Sequence, residues 1–432
     1  MDGQTAKNSE SGKGDKENAL CSTTLYGWNF RGFRKLRVPL DETIFLVGDN
    51  SSGKSSILHL VSCILASDLA EMPRLDDELG VDQFDFFSPY FNYSDVTLGY
   101  EVVKDGRRLG KLVTLKRVRN KAPKIARCSY FADGRVVSIK ASSGSRYRRS
   151  RTLDANCDFD KFFKLHNEGR GFQRLETRRR GALVNQIVTL FDAIGSVEGN
   201  DDILDAAIPD LMAARHIAPV RSLPEKYYDL KRRFTSDGTH FAVMWQDFIR
   251  ESQKGFAEIG QFGRESHLFD KIHVEEVSKK LDQPPLIVKV EKNKQNFLLN
   301  QVGVGISQVV PVLVESVVAA RHKGQFGLLL QQPELHLHPV AQAALGTFFH
   351  STTHKFVPTI VETHSNFLID RFRSEIKEAE GDDGTKSRIL FCQNSEDGNV
   401  CHSIGIDGAG KLISPPTEYF SFFVSELSRT ML

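Results

Sequence analysis

The chain has 432 residues, 40% of them hydrophobic and 26% charged, with a formal net charge of +2. This composition excludes a disordered or fibrous protein and leaves room for one enlarged domain carrying an insertion, or for two or three ordinary units. No uninterrupted apolar run predicts a membrane span, and the six scattered cysteines lack a C-x-x-C pair, so no membrane partner, disulfide scaffold or zinc site is expected, and a reducing cytoplasm is.

Residues 1–22 are polar and rich in Gly, Ser and Lys without an apolar centre, and read as a disordered leader. An N-terminal lobe follows over 23–155. Thr24 to Phe30 and Lys35 to Leu40 read as strands joined by Arg31-Gly32-Phe33-Arg34, whose arginines suit either a solvated hairpin edge or a nucleotide or DNA contact. A third strand, Ile44 to Val47, runs into Gly48-Asp49-Asn50-Ser51-Ser52-Gly53-Lys54-Ser55, and an apolar helical pattern follows at Ile57, Leu58, Leu60, Val61 and Ile64. Strand, glycine loop and helix in that order form a phosphate loop. Its glycines let the backbone N–H groups from Asn50, Ser51 and Ser52 to Ser56 turn onto a polyphosphate, which the positive end of the helix also favours. Lys54 would reach the β- and γ-phosphates of ATP and the Ser55 hydroxyl would ligate Mg²⁺.

From Val96 to Lys140 the pattern changes to short alternating strands, with Asp133-Gly134 marking a hairpin, and a polar loop, SSGSRYRRSR, follows. Between Lys104 and Arg151 stand 16 Lys/Arg against two Asp, a local +14 that leaves the rest of the chain acidic. Charge of this density exceeds what solubility needs and points to DNA, RNA or an acidic protein partner, with Arg146, Arg148, Arg149 and Arg151 as candidate contacts; a second basic knot stands at Arg174, Arg178, Arg179 and Arg180. Residues 156–285 read as a mainly helical insertion, with GALVNQIVTLFDAIGSV its clearest amphipathic segment, a short strand at Arg215 to Arg221, and helical periodicity again from Phe241 to Ile259.

A C-terminal lobe is expected over 286–432. After a hairpin at Leu286 to Lys292 and Asn296 to Leu299, Gly303-Val304-Gly305-Ile306-Ser307-Gln308 opens a helix in which Pro311 falls near the first turn. The strand Phe326 to Leu330 ends in Gln331-Gln332-Pro333-Glu334-Leu335-His336-Leu337-His338-Pro339; the strand Lys355 to Val361 ends in Glu362-Thr363-His364-Ser365. Polar residues at the C-terminal ends of successive strands are where an open α/β sheet assembles a ligand site, so these ends and the phosphate loop are expected to share one sheet.

Taken in order, FRGF, VGDNSSGKSSIL, GVGISQVVPVL, LLLQQPELHLHP and VETHSNFLI resemble the ABC-type ATPase module of the RecF/SMC-like superfamily, most nearly the prokaryotic OLD-like ATPases of phage defence and DNA transactions. The resemblance covers roughly 24 to 66 and 296 to 432. It implies an α/β fold, an ABC-type P-loop ATPase with a mixed β-sheet core, an antiparallel β-subdomain and an inserted helical region. It implies further that Gly303, Gly305, Ser307 and Gln308 stand in for the signature motif, which in an ATP-sandwich homodimer or higher oligomer contacts the γ-phosphate held by the other subunit, and that His364 is the switch histidine. Such modules end the Walker B strand with an acid that helps hold Mg²⁺ and a glutamate that polarises water. Here Gln331 and Gln332 stand in those places, and Glu334 is the nearest carboxylate. Either Glu334 takes over, with Gln332 and His364 orienting the water and Gln331 serving as a weak Mg²⁺ partner, or hydrolysis is slow and the protein is an ATP-held clamp. No Toprim-like acidic cluster follows, so a nuclease effector would be a separate protein. The 277 residues between Lys54 and Gln331 disfavour an AAA+ ring motor, and His336 and His338 read as structural rather than metal-binding for want of a third ligand.

Overall fold

The computed structural model describes residues 22–40, 43–65, 95–104, 107–118, 121–132, 135–140, 146–150, 159–168, 173–174, 213–230, 234–251, 256–278, 284–321, 326–353, 357–379 and 387–430. The amphipathic run 181–197, the Asp133-Gly134 turn, Arg151, the arginines 178–180 and the acidic pair 382–383 lie outside these residues.

Strands β1 (Ser22–Phe30) and β2 (Phe33–Leu40) pair as an antiparallel hairpin, and β3 (Thr43–Gly48), buried throughout, leads into helix α1 (Lys54–Leu65). A meander follows through β4 (Val96–Lys104), β5 (Arg107–Val118), β6 (Lys121–Ala132), β7 (Arg135–Lys140) and β8 (Arg146–Ser150), then α2 (Phe159–Asn167) and the two-residue β9 (Gln173–Arg174). Together with the first hairpin these form an eight-stranded sheet in the order β2-β1-β4-β5-β6-β7-β8-β9. β8 corrects the expectation of a polar loop after β7. Its five residues pair in antiparallel register with β7, Lys140 opposite Arg146 and Val136 opposite Ser150, and so satisfy a ladder that β7 would otherwise leave open.

The second half begins with β10 (Ala213–Ile217), α3 (Phe241–Glu251), α4 (Phe256–Glu265), and the three-stranded sheet β11 (Lys271–Glu276), β12 (Leu286–Lys292) and β13 (Gln295–Leu298). It continues through α5 (Val304–Arg321), β14 (Phe326–Gln331), α6 (Pro339–Thr352), β15 (Thr359–Glu362), α7 (Asn366–Glu378), β16 (Arg388–Gln393), β17 (Val400–Ile406), β18 (Leu412–Ile413) and α8 (Thr417–Thr430).

Seven strands make the central sheet, in the order β10-β14-β15-β3-β16-β17-β18, with β10 to β16 parallel and the last two antiparallel. A parallel sheet is buried on both faces, and the strand residues divide accordingly. Phe45, Val47, Leu328, Leu330, Val361 and Phe391 enter a core with α3 to α7, while Ile44, Leu46, Leu329, Ile360 and Leu390 enter another with α1 and the eight-stranded sheet. β10 lies at the edge of this sheet, so the segment expected as a helical insertion contributes a strand to the central sheet.

Two features of α5 differ from expectation. Pro311 is the eighth residue of the helix, well inside it, and the carbonyl it would otherwise serve lacks a helix donor. The helix is also 18 residues long and apolar enough by length and composition to cross a membrane, yet 78% of that window is buried, because it is the central core helix. Its Glu315 is wholly buried and is compensated by Arg215 at 3.2 Å and by His240.

Candidate nucleotide site

The phosphate loop is wound by backbone angles that its residue types permit. Gly48 has φ +142° and lies so close to β16 that a Cβ there would run into the carbonyl of Cys392; Ser51 and Gly53 follow at φ +63° and +94°. The loop therefore curls at the C-terminal end of β3 and releases α1 with its first N–H groups facing outward. Asn50 and Ser51 are exposed, Ser52 is buried, and Gly53, Ser55 and Ser56 are half-buried. Lys54 lies along the loop: its Nζ donates to the carbonyls of Gly48 at 2.9 Å and Asp49 at 2.7 Å. Burial lowers the pKa of its ammonium, and Glu362 is the strongest influence in the other direction.

Glu362 is not singled out by the sequence, yet its carboxylate meets the phosphate loop at Ser55. It closes β15, the strand between β14 and β3, in register with Gln331 on one side and Leu46 on the other. Register partners in parallel strands point to the same face, here the face of α1. The Ser55 hydroxyl lies 3.3 and 3.4 Å from the two oxygens of this buried carboxylate. The only signal for it in the sequence was its place two residues before His364 at a strand terminus.

Gln331, expected as a metal partner, is hydrogen-bonded at both ends of its amide. Its Nε2 donates to Glu362 Oε2 at 2.9 Å, and its Oε1 sits 2.9 Å from Nε2 of His216 on β10. The amide oxygen is thus directed away from Ser55. Burial lowers the pKa of His216 and keeps the ring neutral, so Nε2 carries the proton that Gln331 accepts.

The strand exit beyond Gln331 is a tight turn with Gln332 at φ +43° and His336 at φ +67°. The buried Arg221 holds it from behind, its Nη2 donating to the carbonyls of Gln331 at 3.0 Å and Gln332 at 3.2 Å. Burial pulls the guanidinium down to about 10, against the attraction of Glu334. Glu334 itself turns back into the site: its Oε1 accepts the backbone N–H of His364 at 2.8 Å, and burial raises its pKa despite that bond. His364 is exposed, with its pKa lowered by burial of part of the ring and by Lys54, and opposed by Glu362. The expected trio Glu334, Gln332 and His364 therefore follows the C-terminal ends of β14 and β15, at the same end of the parallel sheet as Lys54 and Ser55 after β3.

The expected signature residues are only partly so placed. Gly303 and Val304 are exposed at the start of α5, and Gly305 lets this helix approach the carbonyl of His336, where a Cβ would come within 2.7 Å. Ser307 and Gln308, however, are each 4% exposed. Ser307 Oγ donates to Val304 O at 2.9 Å, and Gln308 Nε2 donates to the carbonyls of Arg221 and Ser222 at 3.4 Å. Both side chains are spent inside the fold, which leaves the outward backbone of Gly303 to Gly305 as the part of the motif open to another molecule. Arg146, Arg148 and Arg149 lie on β8 of the other sheet, away from this end; His336 and His338 belong to no group of three metal-ligating side chains among the described residues.

The family described as "Protein of unknown function (DUF2813)" matches residues 24–83, and no curated protein matches the chain. Similar solved structures include a Smc head bound to the C-terminal winged-helix domain of ScpA, at 13% identity and TM-score 0.48, covering 89% of this chain and 98% of that one. The SMC head domain from Thermotoga maritima gives 12% and 0.41 over 89% and 98%. A Smc head with an extended coiled coil, bound to the C-terminal domain of ScpA derived from Pyrococcus furiosus, gives 11% and 0.45 over 95% and 100%.

Proposed function

We propose that this chain is an ATP-binding, ABC-type ATPase that dimerises on ATP, hydrolyses it slowly, and acts as the sensor or regulator of a separate effector. The observation that carries this reading is the convergence, at one end of the parallel sheet, of the curled loop with Lys54 and the Glu334–His364 contact. Lys54 would exchange its two loop carbonyls for the β- and γ-phosphates, while the loop and α1 N–H groups hold the remaining oxygens. The hydroxyl of Ser55 beside a buried carboxylate is an all-oxygen pairing that fits Mg²⁺, and Ser55 would hold the ion. Mg²⁺ supplies neutralisation of the charge developing on the phosphates. Glu334, kept more basic than an ordinary glutamate by its burial, would take the proton of the attacking water, and His364 would bond the γ-phosphate. Lys54→Ala is expected to weaken ATP binding by at least about 100-fold in an equilibrium titration. ATP binding unchanged in that variant overturns the reading.

Dimerisation is supported by the apolar side chains that ring the site. Leu223, Val304, Val340 and Phe367 are exposed, Leu223 by 75% and Phe367 by 54%, and they occupy the loop after β10 and the first turns of α5, α6 and α7. The loop after β10 bonds to the exit of β14 and to α5, and the N-cap of α7 bonds to α6; a shared apolar face at these helix starts is the basis of the dimer reading. Control of an effector, such as a nuclease in anti-phage defence, rests on the resemblance of the ordered motifs to OLD-like ATPases. Contact with DNA or RNA rests on the charge density between Lys104 and Arg151. A second reading, an ATP-held scaffold without turnover, is favoured by the internal commitment of Gln331. Single-turnover hydrolysis decides between them: turnover abolished by Glu334→Gln supports the ATPase, and none in the unmodified protein supports the scaffold.

A further inference from the structure

We propose that the acid serving the divalent cation has moved one strand across the sheet: Glu362 on β15 holds the metal, and Gln331 on β14, itself held by His216, is its positioning residue. This rests on the nucleotide-binding reading above and assigns the part that the glutamine pair left vacant.

The geometry gives three independent supports. First, Glu362 is the carboxylate that Ser55 meets, at 3.3 and 3.4 Å, and Ser55 is the residue whose hydroxyl a phosphate loop directs at the cation. Glu334 has its Oε1 engaged by His364 N–H instead. Secondly, the backbone of Glu362 is fixed on both sides. Its carbonyl accepts Gln332 N–H at 2.7 Å, and the next residue, Thr363, donates its N–H to Leu46 O at 3.1 Å. A metal ligand mounted between two ladder partners needs little ordering on binding. Thirdly, the amide of Gln331 is oriented by chemistry on both ends. His216 donates to its oxygen, which leaves the NH₂ for Glu362 Oε2 at 2.9 Å. A carboxylate at position 331 would place two negative charges at this separation without a cation between them. Glutamine instead donates to the neighbouring acid and steadies it. His216, Gln331 and Glu362 thus form a chain from the edge strand to the loop, in the way that an outer shell orients a metal ligand.

The test measures binding of a fluorescent ATP analogue to the full chain in EDTA and in Mg²⁺, with Mn²⁺ binding followed by electron paramagnetic resonance. In the unmodified protein Mg²⁺ is expected to tighten ATP binding by about 10-fold or more. Glu362→Gln is expected to lose most of that increment, measured against its own EDTA affinity, and to lose the bound Mn²⁺ signal. His216→Ala, two hydrogen bonds from Glu362 and touching neither Ser55 nor Lys54 in any bond described above, is expected to reduce the increment by about 3- to 10-fold with the EDTA affinity unchanged, and His216→Gln, whose amide can donate to Gln331, to restore it. A full Mg²⁺ increment in Glu362→Gln, or in His216→Ala, overturns the assignment. If Glu362→Gln does not fold, the two His216 variants still decide. Failure of the unmodified protein to bind ATP in either condition overturns the nucleotide-site reading instead.

Discussion

Glu334 is the residue on which turnover is expected to depend. Burial raises its pKa, and a general base works only when deprotonated, so the acid limb of the turnover profile is expected to lie above that of an ordinary glutamate and activity to fall as pH drops through it. A pH–rate profile under single-turnover conditions checks this. Glu334→Gln should abolish hydrolysis while leaving ATP affinity within about 2-fold, because the residue makes its fixed bond to His364 N–H rather than to the phosphate cradle. The strand, glycine turn and helix around Lys54 and Ser55 were legible in the sequence, since eight consecutive positions specify a turn and a charge. Glu362 was not. It precedes a histidine in a strand-end motif, and nothing in the linear order says that β15 would lie between β14 and β3 and bring it against Ser55. The helix start at Gly303 to Gln308 was legible too, but the burial of Ser307 and Gln308 was not, because which side chains of a first turn face inward depends on what packs there, here for Gln308 the loop of Arg221 and Ser222.

At the scale of elements, the segment joining β10 to α3 matters more than its composition implies. Asp237 ties it together, accepting from Ser222 Oγ at 2.5 Å, Thr235 Oγ1 at 2.6 Å and Thr239 N–H at 3.1 Å. Burial alone would raise the pKa of this carboxyl, but the combined hydrogen bonds from Ser222, Thr235 and Thr239 outweigh it and bring it to about 2. A depressed folded-state pKa stabilises the fold above the ordinary carboxylate value, and that contribution disappears as pH falls through the folded value. Asp237→Asn is therefore expected to lower the melting temperature by about 2–4 °C at neutral pH, with the difference closing between about pH 4 and pH 2. Thermal scans across that range test it. Arg221 belongs to the same segment and spans the strained exit of β14, so Arg221→Met should destabilise the protein by about 2 kcal/mol or more, through two orphaned carbonyls and a less compensated Glu334. The sequence offered a strand at Arg215 to Arg221, shifted by two residues at its start and four at its end from the observed Ala213–Ile217, and did not offer its membership in the central sheet, because so short a run carries no information about its partner.

For the whole molecule, the exposed apolar ring around the strand ends is expected to close on a second copy when ATP is present. Leu223→Glu and Phe367→Glu, each in a Glu334→Gln background that retains ATP, should leave the chain monomeric by light scattering while the parent becomes a dimer. Reversing Arg146, Arg148, Arg149 and Arg151 should lower affinity for a short DNA or RNA duplex by about 10-fold or more and flatten its salt dependence; unchanged binding would make that sheet a protein-docking surface.

The turn of the β1–β2 hairpin is fastened to the tip joining β16 and β17. Gly32 O accepts Asn399 N–H at 2.7 Å, Arg34 Nε donates to Asp397 O at 2.9 Å, and Asn394 reaches Asn50 O at 3.3 Å. Phe33 of the same turn presses on Gly53. The eight-stranded sheet and the nucleotide loop consequently share one fulcrum. A load applied at β9, seven strands from β2 across that sheet, would reach the glycine that precedes α1, so a pull on the basic strands is expected to alter the shape of the phosphate loop.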